Sequence, residues 1–264
     1  MKFKLALLFV VASSLAHGAS FDVSVEIKYL DLGQSKLSPS SRDKLTCFYY
    51  DQFMVKQIDL SEKGADQLSI IPFTTHAKLP ACQKKNVAGE MIVDPKVWSG
   101  YFKGVKSHYV FFDGDDGWNG ATPFAIFDAR TGKKIFDDAS MGEIKFIQNS
   151  TTVGLTYRRA YQAPCSVVVD GKKCWEKIMQ ATGIRDARAP DCAAAYRKSN
   201  LQFAHNLCED KKDFFDCFQK TMNNSQFKEQ DKVGPMIEYP VEIRDLAAPK
   251  PKALSTATAC WPPS

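Results

Sequence analysis

Eight cysteines constrain this chain more than any other feature: Cys47, Cys82, Cys165, Cys174, Cys192, Cys208, Cys217 and Cys260. An even count behind an export leader reads as a disulfide framework. Zinc is the competing chemistry, but no Cys-x-x-Cys occurs, and the histidines past the leader are only His76, His108 and His205. Spacing then narrows the pairings. Cys47 and Cys82 stand alone in the first half and are expected to join each other. Cys165 with Cys174 would staple the short turn around "VVDGKK". If 192–208 is one continuous helix, its two end cysteines lie about 24 Å apart along the axis, which forbids a bridge between them. Cys208–Cys217 and Cys192–Cys260 are the economical remainder.

The leader is residues 1–19. Lys2 and Lys4 make a positive start, Leu5 to Ala16 is apolar, and "SSLAHGAS" supplies small residues, so cleavage after Ala16, Gly18 or Ala19 fits. The apolar run falls short of the roughly 18 residues a membrane span needs, and no later segment approaches that length. The expected product is periplasmic or secreted, with no membrane span. Losing Lys2 and Lys4 lowers the formal net charge from +5 to +3. That is too mild for a nucleic-acid partner, which announces itself as a basic patch or stripe. One stretch, 158–198, is locally basic: Arg158, Arg159, Lys172, Lys173, Lys177, Arg185, Arg188, Arg197 and Lys198 outnumber its acids. It reads as a solvated face, with an anionic partner as the alternative.

Periodicity divides the rest. "FDVSVEIKYL" alternates Phe21, Val23, Val25 and Ile27 against polar residues, the period of a half-buried strand. "TCFYYDQFMVKQIDL" and "QLSIIPF" read as strands, with Pro72 confining the second to an edge or an end. From 94 to 161, turn signals recur every 8–12 residues among many aromatics, which suggests an antiparallel sheet, sandwich or barrel. After Cys165 the period becomes helical. Trp175, Ile178, Met179 and Thr182 share a face that ends at Gly183. Asp191 caps a helix carrying Tyr196, Phe203 and Leu207, and "KKDFFDCFQKTM" repeats the pattern with Phe214, Phe215, Phe218 and Met222. Such stripes are expected to be core contacts. "IEYPVEIRDL" alternates again, and Pro240 marks it as an edge strand. With 44% hydrophobic and 25% charged residues the chain is ordinary globular material. The predicted fold is α+β. An antiparallel aromatic-rich β-module (20–163) precedes a disulfide-stapled helical segment (164–234), then an edge strand and Pro-rich tail (235–264).

"AIFDARTGKKIF" reads as strand, tight turn, strand, with Asp128 capping the turn and Gly132 supplying positive φ. It resembles the hairpin inside one blade of a quinoprotein-type β-propeller. It occurs once, whereas a propeller repeats its blade at least about four times, so only the hairpin is implied.

Two motifs carry chemistry. "DGDDGWNG" gathers Asp113, Asp115, Asp116 and Asn119 around Trp118. It does not match a helix-loop-helix calcium loop, because Trp118 stands where glycine is needed and Phe124 where the closing glutamate should be. An irregular calcium site is the alternative to no cofactor. A Trp at a loop tip beside acids and amides is suited to stacking on a sugar or anchoring a protein contact. The second motif is Cys174 at a helix start, followed by His205 and Asp210. The order is similar to papain-like and transglutaminase-like enzymes, but "VVDGKK" lacks their local pattern, and using Cys174 leaves an odd cysteine. The reading that follows is a non-catalytic binding protein with a protein or glycan ligand at Trp118, Asp113, Asp115, Asp116 and Asn119. The alternative is a hydrolase using those acids or the Cys174–His205–Asp210 thiol arrangement.

Overall fold

The structure, a computed structural model, describes residues 20–60, 63–74, 79–117, 120–149, 151–185 and 188–263. The leader, His76, Trp118 and Asn119 lie outside the described residues. Three antiparallel sheets form the body. Sheet 1 is the meander β1 (Glu26–Gln34), β2 (Arg42–Tyr49), β3 (Phe53–Asp59), β4 (Gln67–Pro72) and β5 (Met91–Ile92). Sheet 2 is β6 (Gly100–Lys106), β7 (Tyr109–Gly114), β8 (Thr122–Asp128) and β9 (Lys133–Ser140). Sheet 3 joins β10 (Lys145–Gln148) and β11 (Val153–Gln162) to β12 (Met236–Ile243), which carries β13 (Lys252–Ala253) and β14 (Ala259–Trp261) on its other side. Between β11 and β12 run α1 (Val167–Thr182), α2 (Cys192–Cys208), α3 (Phe214–Met222) and α4 (Ser225–Glu229).

Sheet 2 is the middle layer. Side chains alternate across a strand, so Val110, Phe112, Ala125 and Phe127 pack on Phe53, Val55, Leu68 and Ile70 of sheet 1. Tyr109, Phe111, Phe124 and Ile126 face the other way, onto Phe146, Leu155, Tyr157, Tyr239 and Val241 of sheet 3. Burial on both faces is why "YVFF" and "FAIF" read as unbroken apolar runs rather than alternating ones. Helix α1 adds Val167, Trp175 and Ile178 to the second core, and α2 adds Cys192 and Tyr196. Phe21 completes it edge-on between Phe111 and Phe146, at 5.3 and 4.9 Å. It fits only because residue 104 is glycine, where a Cβ would lie 2.6 Å from its ring.

The far face of sheet 1 is covered by the 79–90 segment. Cys82 is bonded to Cys47 there, and the Tyr49 hydroxyl donates to the Pro80 carbonyl at 2.8 Å. Beneath it Lys56 and Glu90 form an ion pair at 2.6 Å, their side chains only 2% and 1% exposed. The other bridges are Cys165–Cys174, Cys192–Cys260 and Cys208–Cys217, the pairs that spacing predicts.

Three expectations fail in the body. β12 is interior, not an edge: β11 pairs along one side, and β13 and β14 divide the other. β14 bonds 236–238 and β13 bonds 241–242, so Pro240 falls between their registers and no ladder needs its missing N–H. The face of the first strand expected to be half-buried is instead uncovered at Val23, Val25, Ile27 and Tyr29. The α2 and α3 stripes are also largely outside the core. The predicted Asp191 cap is present, its carboxylate accepting from the Ala194 amide at 2.9 Å, and so is the positive φ of Gly132 in the β8–β9 turn.

Candidate interaction surface

The acidic loop is tied down by lysines. Asp113, next to last in β7, accepts from the Lys103 ammonium at 2.7 and 2.9 Å through both oxygens. Asp116 pairs with Lys63. Among the described residues, no group of three or more His, Cys, Asp or Glu side chains is placed to hold a metal ion. Asp113 and Asp116 therefore sit in separate ion pairs rather than converging on one point. Asp115 follows the end of β7, close to Gly64.

The thiol arrangement is overturned. Cys174 is bonded to Cys165 and buried, so it offers neither a thiolate nor access. It does stand in the first turn of a helical piece, three residues past the break in helical geometry at Gly171 inside α1, but as half of a disulfide it carries no thiol there. His205 stands in the last turn of α2 with its ring edge-on to Phe214, centroids 5.6 Å apart, and Asp210 lies in the turn beyond. Within the basic stretch, Arg158 and Arg159 are committed to Glu238 and Asp138. Arg159 and Tyr157 together clasp the Asp138 carboxylate between β11 and β9.

A groove that periodicity could not reveal runs past the β6–β7 and β8–β9 turns. One cavity of about 490 Å³ and a neighbour of about 320 Å³ share Ser107, His108 and Arg130. Two of its charged groups, Arg130 and Asp22, are already paired. Arg130 donates to both Asp128 oxygens and holds that carboxyl below its usual range. Asp22 receives Lys106 at 2.9 Å. Burial, then the Arg130 charge, push His108 down, leaving a neutral imidazole at neutral pH.

The most unusual surface is the hairpin of α2 and α3. Its helices are well specified. Asp213 caps α3 by accepting from the Asp216 amide at 3.1 Å, and Cys208–Cys217 locks the turn with Cα atoms 5.8 Å apart. At the start of α2, Cys192, Tyr196 and Asn200 are buried. The helix is about 25 Å long, and along its second half Ala204 and Cys208 stay buried while the larger apolar side chains beside them are not covered. Phe203 is 56% exposed and Leu207 50%. Helix α3 buries none of its residues although three of its nine are Phe. Phe215 stands 82% exposed, while Phe214 and Phe218 stack on each other at 5.6 Å and Phe203 meets Phe227 at 6.1 Å. Mixed charges surround them: Glu209, Asp210, Lys211, Lys212 and Asp213 in the turn, and an Asp216–Lys220 pair at 2.6 Å on α3. The apolar period that marks this stripe was legible in the sequence. The extent of its exposure was not.

Compared with known family models, curated proteins and solved structures, the chain shows no match.

Proposed function

We propose that this is a non-catalytic interaction protein that docks a protein partner on the α2–α3 hairpin, outside the cytoplasm. Its four disulfides belong to an oxidising compartment. Among the described residues no helix is long and apolar enough to cross a membrane. The observation that carries the reading is α3, a helix with three Phe and no buried residue. Leaving a large apolar side chain in water forgoes about 1.5–3 kcal/mol of burial, and grouped exposed apolar residues with a polar rim are the anatomy of a binding face. Protein is favoured over glycan because the centre is Phe and Leu rather than Trp or Tyr flanked by amides. The rim carries both signs, which favours neither an acidic glycan nor an anionic lipid.

The test is a photo-crosslinking residue placed at Phe215, at Leu207, and at Lys172 on α1 as an exposed control, in cells that make the protein natively. The expected result is one discrete adduct at 215 and 207 that is absent at 172, and lost from 207 in a Phe203→Ser/Phe215→Ser background whose melting temperature is unchanged. The reading fails if the three positions give the same adducts or none. It also fails if the double variant unfolds early, which would make the two rings structural.

A further inference from the structure

A second surface, independent of the hairpin, lies along β1. It is the open edge of sheet 1, pairing among the described residues only with β2. Tyr29 on it and Val25 just ahead of it are each 70% exposed. The Phe21–Asp22 segment ahead of it is fixed, since Phe21 is packed in the core, the Asp22 amide donates to the Val105 carbonyl at 2.8 Å, and its carboxylate receives Lys106. The strand is therefore held in place while its apolar face and one row of backbone groups stay unpaired. Edge strands of this kind pair with another strand unless something blocks them.

Which groups are unpaired follows from the register. The Tyr50 amide donates to the Phe53 carbonyl to close the β2–β3 hairpin. Hydrogen-bonded pairs alternate along an antiparallel ladder, so Phe48 and Thr46 bond toward β3 and Cys47 and Leu45 toward Lys28 and Leu30 of β1. The amides and carbonyls of Ile27 and Tyr29 are left on the open edge, whereas Val25, just ahead of β1, turns its amide inward to the Tyr49 carbonyl at 2.8 Å.

We infer that β1 pairs antiparallel with β1 of a second copy, about a two-fold axis at Ile27, joining two sheets 1 into one continuous sheet. That centre sets Ile27 against Ile27 through their outward backbone groups and brings the exposed Val25 side chain, just ahead of the strand, to Tyr29 of the other copy. It sets Glu26 against Lys28 of the other copy, at the closer, non-hydrogen-bonded positions. Within one chain Glu26 and Lys28 already approach to 3.3 Å, so the dimer carries four charges alternating in sign. Recentring on either neighbour sets Lys28 against Lys28 or Glu26 against Glu26, which like-charge repulsion disfavours. The register break at Asp31/Gly33 limits pairing to the strand's first half, and a two-fold contact closes on itself rather than growing into a fibre.

Sedimentation equilibrium of the processed chain over a wide concentration series tests this. The expected result is a reversible monomer–dimer equilibrium. Glu26→Lys or Lys28→Glu alone raises the dissociation constant about tenfold or more, since each places two like-charged pairs across the axis. Mixing the two single variants restores dimers, because every cross-strand contact is then between opposite charges. Ile27→Cys gives a covalent dimer on mild oxidation. A chain that stays monomeric at every concentration overturns the proposal, as would be expected if a foreign strand fills this edge instead. Dimers indifferent to the charge variants, or a mixture no tighter than its components, also overturn it.

Discussion

Removing the Glu90 carboxylate should be among the most damaging single changes available to this protein. Lys56 enters from the middle of β3, a fully buried position on the covered face of sheet 1, and meets Glu90 at 2.6 Å. Glu90 also receives the Gln67 amide and the Val87 backbone N–H, each at 2.9 Å. Glu90→Ala leaves an ammonium under the 79–90 segment with nothing to offset its desolvation. Breaking a buried pair on one side costs about 3–5 kcal/mol. For a domain of this size that corresponds to a fall in melting temperature of about 6–20 °C. Replacing both partners by apolar residues, Lys56→Met with Glu90→Leu, should recover most of the loss, because an apolar pair carries no desolvation cost. Thermal melts followed by circular dichroism give all the values. The carboxyl also dictates an acid-side signature. Burial pushes it up, but the bonds from Lys56, the Val87 amide and Ser69 outweigh that and hold it below the usual carboxylate range. A folded value below the unfolded one means the pair's contribution is full above about pH 4.3 and is lost as pH falls through the folded value. Glu90→Gln should flatten that acid limb. A Glu90→Ala loss below about 1 kcal/mol, or a double variant no better than the single, would refute the reasoning.

Two further outcomes follow from the same body. Replacing Cys47 and Cys82 with Ser opens a loop whose ends are 35 residues apart and should cost about 4 kcal/mol by chain entropy; denaturant unfolding measures it, and no change would show that the loop packs unaided. Burial pushes Tyr50 and Tyr196 up to about 12; raised phenols favour the folded state below about pH 10, so stability should decline between there and about pH 12, read as phenolate absorbance appearing late and together with unfolding.

What could be read from the sequence divides along a physical line. The β8–β9 hairpin was legible because its turn chemistry is local: Asp128 accepts from the Arg130 amide two residues on, at 2.8 Å. The four bridges were legible because helix length excludes the one tempting alternative. The Lys56–Glu90 pair was not, since nothing near either residue signals a partner 34 positions away. Nor was the Ser107–His108–Arg130 groove, which two separate turns create only when sheet 2 forms. The stripes on α2 and α3 show the subtler gap. Periodicity says that one side of a helix is apolar and says nothing about what arrives to cover it. Phe203 and Tyr196 lie on one stripe, yet one is exposed and the other buried, because the first half of α2 packs on the sheet 3 core while the second half buries only Ala204 and Cys208, the latter bonded to α3. Trp118 and Asn119, singled out as ligand contacts, lie outside the described residues.

The straightness of α2 bears on how the chain reaches its final set of bonds. A polypeptide appears N-terminus first, and an oxidant that simply joined each cysteine to the next would link 47 to 82 and 165 to 174 without error. Its third choice would be wrong, because Cys208 follows Cys192. Once Asp191 has capped the helix, those two thiols are held at opposite ends of a rod, and Cys208 can turn only to Cys217. Cys192 is thereby left for Cys260, 68 residues further along the chain. The helix acts as a ruler that keeps neighbouring cysteines of the sequence apart, so that Cys192 meets Cys260 on β14 rather than the cysteine that follows it along the chain.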